Sequence, residues 1–255
     1  MLLALQPRDF EIVHDVDQGE ESVVHARARL IRKFLESDAS HLLFLDADVA
    51  CHPEVVRGMM HSAVTLRARD GEAPILLTPY PRKRIDWDRI ESHVRLLIVE
   101  ALRRAHNSMK SPVEMAIDIF PAPYGLEAHG QSYPIQFRPD GLELDTETFT
   151  APVLGAGIGC SVWSREALEA IEAAAGDGLD YHDGPTEEAP LTCAVTMLVL
   201  ENRALMSEDL SLCWRARQIG LTPRLYLGPG SPAGHVGPYF FPGKIEAFGV
   251  KGAKR

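Results

Sequence analysis

Residues 41–53 read HLLFLDADVACHP, and this stretch predicts a strand that ends in two carboxylates. The apolar run 42–45 is typical of a strand covered on both faces in an α/β protein. Asp46 and Asp48 follow it, at the strand end where open parallel sheets bind ligands. Two carboxylates so close together repel each other and are costly to desolvate, so they become favourable mainly when a divalent cation lies between them and a phosphate. The alternative is structural: Asp46 begins a turn and Asp48 caps the helix that starts near Pro53.

Composition restricts the class of protein. The chain has 255 residues, 45% of them hydrophobic and 24% charged, with a net charge of −10. This size and balance predict one globular domain over residues 1–255, and the negative charge argues against a nucleic acid or an anionic membrane as the main partner. Four cysteines without a CxxC pair indicate neither a zinc site nor a disulfide framework, which favours a reducing cytoplasm. We also expect no targeting segment and no membrane span, because no apolar run approaches the required length of about 20 residues.

The pattern before residue 80 alternates between strands and helices. We predict strands over residues 10–16, 41–45 and 74–79, with helices over 23–36 and 55–69 between them. Strand, helix, strand, helix, strand is the order of a parallel sheet, so the expected fold is α/β with a mostly parallel sheet.

The second half of the chain is less regular. A helix is expected over residues 88–107, and a small irregular or antiparallel insertion over about 108–150. Ser164 and Ser207 are the expected N-caps of two further helices, and residues 225–227 form a last short strand.

The loop after the third strand reads YPRKRIDW over residues 80–87. Lys83 can neutralise a phosphate, and Tyr80 and Trp87 can lie against the apolar face of a sugar ring. An ordinary surface loop explains the same residues.

Three glycines alternate in residues 153–163, VLGAGIGCSVW. A dinucleotide-binding turn is one explanation, but Gly155, Gly157 and Gly159 do not have GxGxxG spacing. Backbone exposed by glycine at a strand end lets a sugar approach closely, which is the function we expect here.

Two late features complete the candidate site. Glu208 and Asp209 lie in the first turn of a predicted helix, where acidic side chains interact favourably with the helix dipole. Either can also act as a general base. His235 lies between Gly234 and Gly237. A histidine in a loop is more often on the surface, but the flanking glycines permit a backbone path that makes it a third metal ligand.

Taken in order, the segments resemble nucleotide-sugar glycosyltransferases of the GT-A fold. The matching segments are ARARLIRKFL, HLLFLDADV, YPRK, GAGIGCSVWSRE, SEDLSLCWRARQIG and GHVG, and they cover most of residues 22–243. The resemblance implies a three-layer α/β/α sandwich and a divalent cofactor, Mn²⁺ or Mg²⁺. It also implies a nucleotide-sugar donor, UDP- or GDP-linked, and a glycan, lipid-linked or small-molecule acceptor.

The resemblance assigns roles residue by residue. Asp46 faces the ribose or the metal, Asp48 binds the metal at the donor diphosphate, and His235 completes the metal ligands. Glu208 and Asp209 become the acidic pair beside the acceptor. Asp209 is the base if the reaction inverts the anomeric centre and positions sugar hydroxyls if the reaction retains it, and the sequence does not decide between the two. The remaining donor-side residues are Lys83 in its loop and the strand with Gly155 and Gly157.

The resemblance also marks two departures and leaves two alternatives. Such enzymes begin with a strand and helix that form the nucleotide-base pocket, and this sequence enters late, near LLALQPRDF; residue 28 is alanine where asparagine is frequent. One alternative is a catalytically silent protein that binds nucleotide sugars. The other is a haloacid-dehalogenase-like phosphohydrolase with Asp46 as nucleophile, although a helix before the DxD strand fits that class poorly.

Overall fold

The computed structural model describes residues 11–15, 22–84, 86–106, 131–183, 186, 188–236 and 240–241. Its helices are α1 (Val23–Glu36), α2 (Pro53–Asp70), α3 (Trp87–His106), α4 (Arg165–Ala175) and α5 (Glu208–Gln218), with a 3-10 turn over Gly176–Leu179. Its strands are β1 (His41–Leu45), β2 (Val49–Ala50), β3 (Ile75–Leu77), β4 (Ile135–Gln136), β5 (Thr150–Pro152), β6 (Gly155–Ala156), β7 (Cys160–Ser164), β8 (Asp180–His182), β9 (Leu191–Cys193), β10 (Leu200–Glu201), β11 (Ala204–Leu205), β12 (Pro223–Tyr226), β13 (Gly234–Val236) and β14 (Phe240–Phe241).

Local sequence signals begin and end the helices where they were expected. Pro53 is the first residue of α2, and the His52 ring accepts a hydrogen bond from the Glu54 N–H. The helix ends at Gly71, whose φ of 69° is the left-handed conformation that glycine adopts without strain. The Ser164 hydroxyl caps α4 by accepting from the Ala167 N–H at 3.2 Å. These caps confirm the predicted boundaries of α2 and α4 to within two residues. Ser207 occupies the N-cap position of α5, as expected, but its side chain makes no capping hydrogen bond to the described residues of that helix.

The central sheet has five strands in the order β1-β7-β3-β12-β5. Strand β7 pairs antiparallel with both β1 and β3, and β12 pairs parallel with β3 and antiparallel with β5. The α/β class is confirmed, but the sheet is mixed, with one parallel pair of neighbours, and the expectation of a mostly parallel sheet is wrong. The reason is that β7 comes from much later in the chain and lies between the two strands that precede it.

Apolar side chains pack on both faces of the sheet. Successive strand residues point to opposite sides, so neighbouring residues of one strand belong to different clusters. Ile75, Leu77 and Trp163 belong to one apolar cluster, which contains residues of α1, α4 and α5. Leu76 and Val162 belong to a second cluster, which contains residues of α2.

Two expectations outside the central sheet have different outcomes. Residues 11–15 are irregular, so the strand predicted over 10–16 is wrong where the structure describes it; alternation alone does not supply a pairing partner. Strand β4, in the predicted insertion, pairs antiparallel with β6. Residues 107–130 of that insertion lie outside the described part of the chain. None of the described helices has the length and apolarity needed to cross a bilayer.

Candidate active site

A buried arginine brings three carboxylates together at the carboxyl end of β1. Arg27 of α1 is 4% exposed. Its Nη2 donates to Asp46 Oδ2 at 2.9 Å and its Nη1 donates to Glu208 Oε1 at 3.1 Å. The same Nη1 contacts Asp209 Oδ1. We call these four residues the Arg27 cluster; it joins the end of β1 to the first turn of α5.

Burial sets the electrostatics of the Arg27 cluster. Burial acts to lower the pKa of Arg27, but the three carboxylates outweigh it and raise this pKa above its ordinary value. For Asp209, burial raises the pKa, and the negative Glu208 adds to this effect, while Arg27 and the Ile158 N–H act against it. The net result is a raised pKa for the Asp209 carboxyl group, which is the direction that favours proton acceptance.

The backbone at Gly159 holds Asp46 in this position. The Asp46 N–H donates to the Gly159 carbonyl at 2.8 Å, and the Gly159 N–H donates to the Tyr80 hydroxyl oxygen at 3.0 Å. A Cβ atom at Gly159 would lie 2.5 Å from Asp46 Oδ2 and 2.9 Å from the Tyr80 hydroxyl, closer than real Cβ contacts allow. Only glycine therefore fits at this residue without moving Asp46 or Tyr80.

A second, more exposed set of residues lies one turn further along the chain. Asp48 contacts Lys83 through its Oδ2, and its Oδ1 lies 3.5 Å from His235 Nε2. We call these three residues the Asp48 group. Burial acts to raise the pKa of Asp48, but the Lys83 ammonium outweighs it and, together with the His235 ring when that ring is protonated, lowers the pKa of this carboxyl below its ordinary value.

Short strands hold the Asp48 group together. Strand β13 pairs with β2 so that His235 lies opposite Val49, and the Val236 N–H donates to the Asp48 carbonyl at 2.7 Å. His235 Nδ1 lies 2.8 Å from the Pro81 carbonyl oxygen, which can only accept. Nδ1 therefore carries the proton in the neutral ring, and Nε2 presents its lone pair toward Asp48.

The donor chemistry of the Asp48 group fits a divalent cation. A carboxylate oxygen and an imidazole nitrogen 3.5 Å apart can both bind one ion, and a backbone carbonyl that orients the other ring nitrogen is a common partner of metal-binding histidine. Within the described part of the chain, no three or more His, Cys, Asp or Glu side chains are grouped as a metal site. Asp46, the third predicted ligand, is hydrogen-bonded to Arg27 instead.

Several residues predicted for the donor side have a packing role. Tyr80 is 6% exposed and contacts His235 edge to face, with ring centroids 5.3 Å apart, so the expectation that it lies against a sugar ring is wrong in this structure. A Cβ at Gly157 would meet the Tyr80 hydroxyl at 2.3 Å, and one at Gly155 would meet Cys213 Cβ of α5 at 2.9 Å. These two glycines are accounted for by close packing, and their donor-binding role stays a prediction. The Trp87 side chain lies outside the described residues.

The sequence reasoning missed Arg27, although a signal was present. Arg27, Ile31 and Phe34 are buried on α1, at the i, i+4, i+7 spacing of one helix face. An arginine on the apolar face of a helix that leads into two aspartates is therefore a candidate partner for those aspartates. Arg29, two residues after Arg27 and not on this face, pairs instead with Asp183 at 3.4 Å.

Comparisons of the chain with protein-family models, with curated protein sequences and with solved structures gave no match.

Proposed function

We propose that the protein is a divalent-metal-dependent glycosyltransferase that moves a sugar from a nucleotide-sugar donor to a hydroxyl acceptor. The observation that carries this proposal is the meeting of Asp46, Glu208 and Asp209 on Arg27, beside the Asp48 group. It brings a carboxylate with a raised pKa next to a site with metal-binding chemistry. Glycosyl transfer to a hydroxyl needs both, a proton acceptor and an electrophile for the leaving phosphate.

Asp209 is the proposed base. Its carboxylate is largely buried, and its raised pKa strengthens it as a proton acceptor for the acceptor hydroxyl. Arg27 holds the carboxylate from one side, which leaves its orientation fixed before an acceptor arrives. If the enzyme retains the configuration of the anomeric carbon, the same carboxylate positions sugar hydroxyls instead.

Asp48 and His235 are the proposed metal ligands, with Asp46 close by on the same turn. The expected ion is Mn²⁺ or Mg²⁺, which favour carboxylate ligands and bind phosphate oxygens at the same time. When bound, the metal would offset the negative charge that develops on the leaving nucleoside diphosphate. The Arg27 cluster also favours cation binding nearby, because it holds three carboxylates and one guanidinium and therefore more negative than positive groups.

Lys83 is proposed to bind the donor diphosphate. Its ammonium group contacts Asp48, and both side chains are well exposed to solvent. An exposed ion pair of this kind contributes only about 0–1 kcal/mol, so a phosphate can replace the Asp48 carboxylate as the partner of Lys83 at little cost. Lys83 and a metal on Asp48 would thus recognise the diphosphate of a UDP- or GDP-linked donor.

The GT-A architecture is part of the same proposal. The two apolar clusters on opposite faces of the sheet are compatible with a three-layer α/β/α arrangement. In the phosphohydrolase alternative Asp46 would be the nucleophile, and a carboxylate that accepts from a buried arginine is a weakened one. The cytoplasmic setting and the choice of glycan, lipid-linked or small-molecule acceptor remain proposals of the same kind.

The first experiment is a thermal-shift screen of UDP-, GDP-, CMP- and dTDP-sugars with and without Mn²⁺. A ligand that binds the folded state raises its apparent stability with the logarithm of concentration over Kd. The expected result is a shift with one nucleotide sugar that requires the metal. Phosphate release without sugar transfer would support the phosphohydrolase, and binding without turnover would support a silent binding protein.

A matched pair of variants tests the metal site directly. Asp48→Ala should abolish the Mn²⁺-dependent shift, because it removes the carboxylate ligand. Asp38→Ala is the control: Asp38 is exposed and precedes β1, whose five residues span about 16 Å, so it lies at the opposite end of that strand from Asp48. An unchanged Mn²⁺-dependent shift in Asp48→Ala would overturn the metal assignment.

A further inference from the structure

Two of the four cysteines contact each other close to the turn that carries Asp46 and Asp48, which we call the DxD turn. The Cys160 thiol points to the Cys51 sulfur, and the two Sγ atoms are 3.3 Å apart. Cys51 is 6% exposed and Cys160 is fully buried, and both are free thiols. We propose that Cys51 and Cys160 are an oxidation site, at which a hydroperoxide converts the two thiols into a disulfide that alters the Asp46–Asp48 turn.

The two thiols differ in a way that assigns each one a step. The hydrogen bond from Cys160 lowers the pKa of the Cys51 thiol, although burial acts against this. For Cys160, the hydrogen bond to Cys51 and burial both raise the pKa. Cys193 and Cys213 are different again, because burial raises the pKa of each to about 12. Cys51 is the thiol that reacts first, because it is the more exposed of the two, at 6% against 0%, and the Cys160 thiol donates a hydrogen bond that stabilises its thiolate.

The hydroperoxide is the only oxidant that this reaction requires. The Cys51 thiolate attacks the distal peroxide oxygen, the O–O bond breaks, and the leaving oxygen takes the proton that Cys51 gave up. The product at Cys51 is a sulfenic acid. The Cys160 sulfur then attacks the Cys51 sulfur, the S–O bond breaks, and water leaves with the Cys160 proton. Two thiols are oxidised to one disulfide and the peroxide is reduced.

Formation of the bond requires a movement at the candidate site. A disulfide has an S–S length of about 2.05 Å, so the sulfurs must approach by more than 1 Å from their 3.3 Å separation. Cys160 begins β7, which is hydrogen-bonded on both sides within the central sheet, whereas Cys51 follows the two-residue strand β2. The segment that yields is therefore the one that carries Cys51, and Asp48 lies three residues before it.

The functional consequence rests on the function proposed above. A displacement of about 1 Å at a catalytic group can lower a rate by about 10²-fold. We expect oxidation to reduce metal-dependent transfer by a factor of this order, and dithiothreitol to restore it. The disulfide itself is tested without any assumption about the reaction.

The test treats the full chain, first reduced and freed of reductant, with hydrogen peroxide in increasing amounts. Remaining thiols are alkylated after denaturation and counted by intact mass, and peptide mapping identifies any cross-link. The expected result is the loss of two of the four alkylatable thiols and a cross-linked peptide that joins Cys51 to Cys160. Hydrogen exchange of residues 46–52 should then differ between the oxidised and reduced chains.

Variants make each outcome decisive. Cys51→Ser and Cys160→Ala should each prevent the cross-link, and Cys193→Ser, which removes a buried thiol outside the pair, should still form it. A missing Cys51–Cys160 peptide, or a cross-link through Cys193 or Cys213, would overturn the proposal. A cross-link without altered exchange at residues 46–52 would overturn the coupling to the site. If the cross-link forms but neither redox state binds a nucleotide sugar, the proposed glycosyl transfer fails and the oxidation site stands.

Discussion

The Arg27 cluster and the Asp48 group occupy the two ends of one three-residue turn, yet they differ in their access to water. The difference lies mainly in the cations: the Arg27 side chain is 5% exposed and the Lys83 side chain is 36% exposed, whereas Asp46 and Asp48 are 36% and 45% exposed. A charge that is buried must keep its partner, because desolvation of an unpaired ion costs several kcal/mol. A charge at the surface can exchange its partner for water or a ligand at little cost.

Under the proposed function, this difference suits the two ends of the turn to different tasks. The Arg27 cluster provides geometry that is fixed before any ligand arrives, which suits a base that must be oriented. The Asp48 group provides partners that can be exchanged, which suits a site that receives a metal and a phosphate.

Replacement of the buried arginine should have the largest effect. Arg27→Met removes the partner of three carboxylates, and we expect a loss of about 3–5 kcal/mol in the free energy of unfolding, measured by urea denaturation at pH 7. Arg29→Met is the control on the same helix. Its pairing with Asp183 is partly exposed, and we expect a loss of at most about 1 kcal/mol. Equal losses in the two variants would remove the special role of Arg27.

The base should be separable from donor binding. Asp209→Asn keeps the shape of the side chain but removes its ability to accept a proton at neutral pH. We expect a fall in the transfer rate of at least about 10²-fold, with the donor-induced thermal shift unchanged. Undiminished turnover in this variant would exclude Asp209 as the base.

The raised pKa of Asp209 predicts a sign for the pH dependence of stability. A carboxyl group whose pKa is higher in the folded state binds more protons there, so its stabilising contribution is present below its unfolded pKa of about 4 and is lost as pH rises through the folded pKa. The wild type should therefore lose stability relative to Asp209→Asn between pH 4 and pH 7. Urea denaturation across this range measures the unfolding free energy of the wild type minus that of Asp209→Asn, and a value that stays constant or rises with pH contradicts the assignment.

At the exposed end of the turn, the imidazole should matter for the metal. His235→Ala removes the Nε2 lone pair that faces Asp48, and we expect the Mn²⁺ affinity to weaken by about tenfold or more. Isothermal titration with Mn²⁺ alone gives this value without a donor. An unchanged affinity would make His235 an ordinary packing partner of Tyr80.

The smallest effect is expected for the exposed cation. Lys83→Met should change the free energy of unfolding by no more than about 1 kcal/mol, against the several kcal/mol expected for Arg27→Met. The same variant should weaken binding of the nucleotide sugar, because a phosphate partner is lost. A large loss of stability in Lys83→Met would mean that the two ends of the turn do not differ as described.

Local features were predictable from the sequence, and long-range ones were not. The bounds of α1, the cap at Ser164 and the position of Asp46 and Asp48 at the end of β1 follow from periodicity and capping, which involve neighbours in the chain. The insertion of β7 between β1 and β3 depends on pairing across more than eighty residues, for which the alternation of strands and helices holds no information.

The buried arginine shows a second kind of failure. Most arginines are exposed, so residue type predicts an exposed Arg27. Its position on the apolar face of α1 predicts the opposite, and the structure follows the position. The pairing of Arg27 with Glu208 and Asp209 joins residues about 180 positions apart, so only the fold reveals it. The proposed oxidation site is of the same kind, because Cys51 and Cys160 lie far apart in sequence.

The central position of β7 has a consequence during protein synthesis. Strands β1 and β3 leave the ribosome well before β7, and neither has any partner in the central sheet until residues 160–164 emerge. At about 5–20 residues per second, β3 waits roughly 4–17 seconds for β7. During that interval two apolar strands are available to chaperones or to wrong partners. Because Gly159 holds Asp46, the DxD turn also reaches its final position only when this late strand has been added.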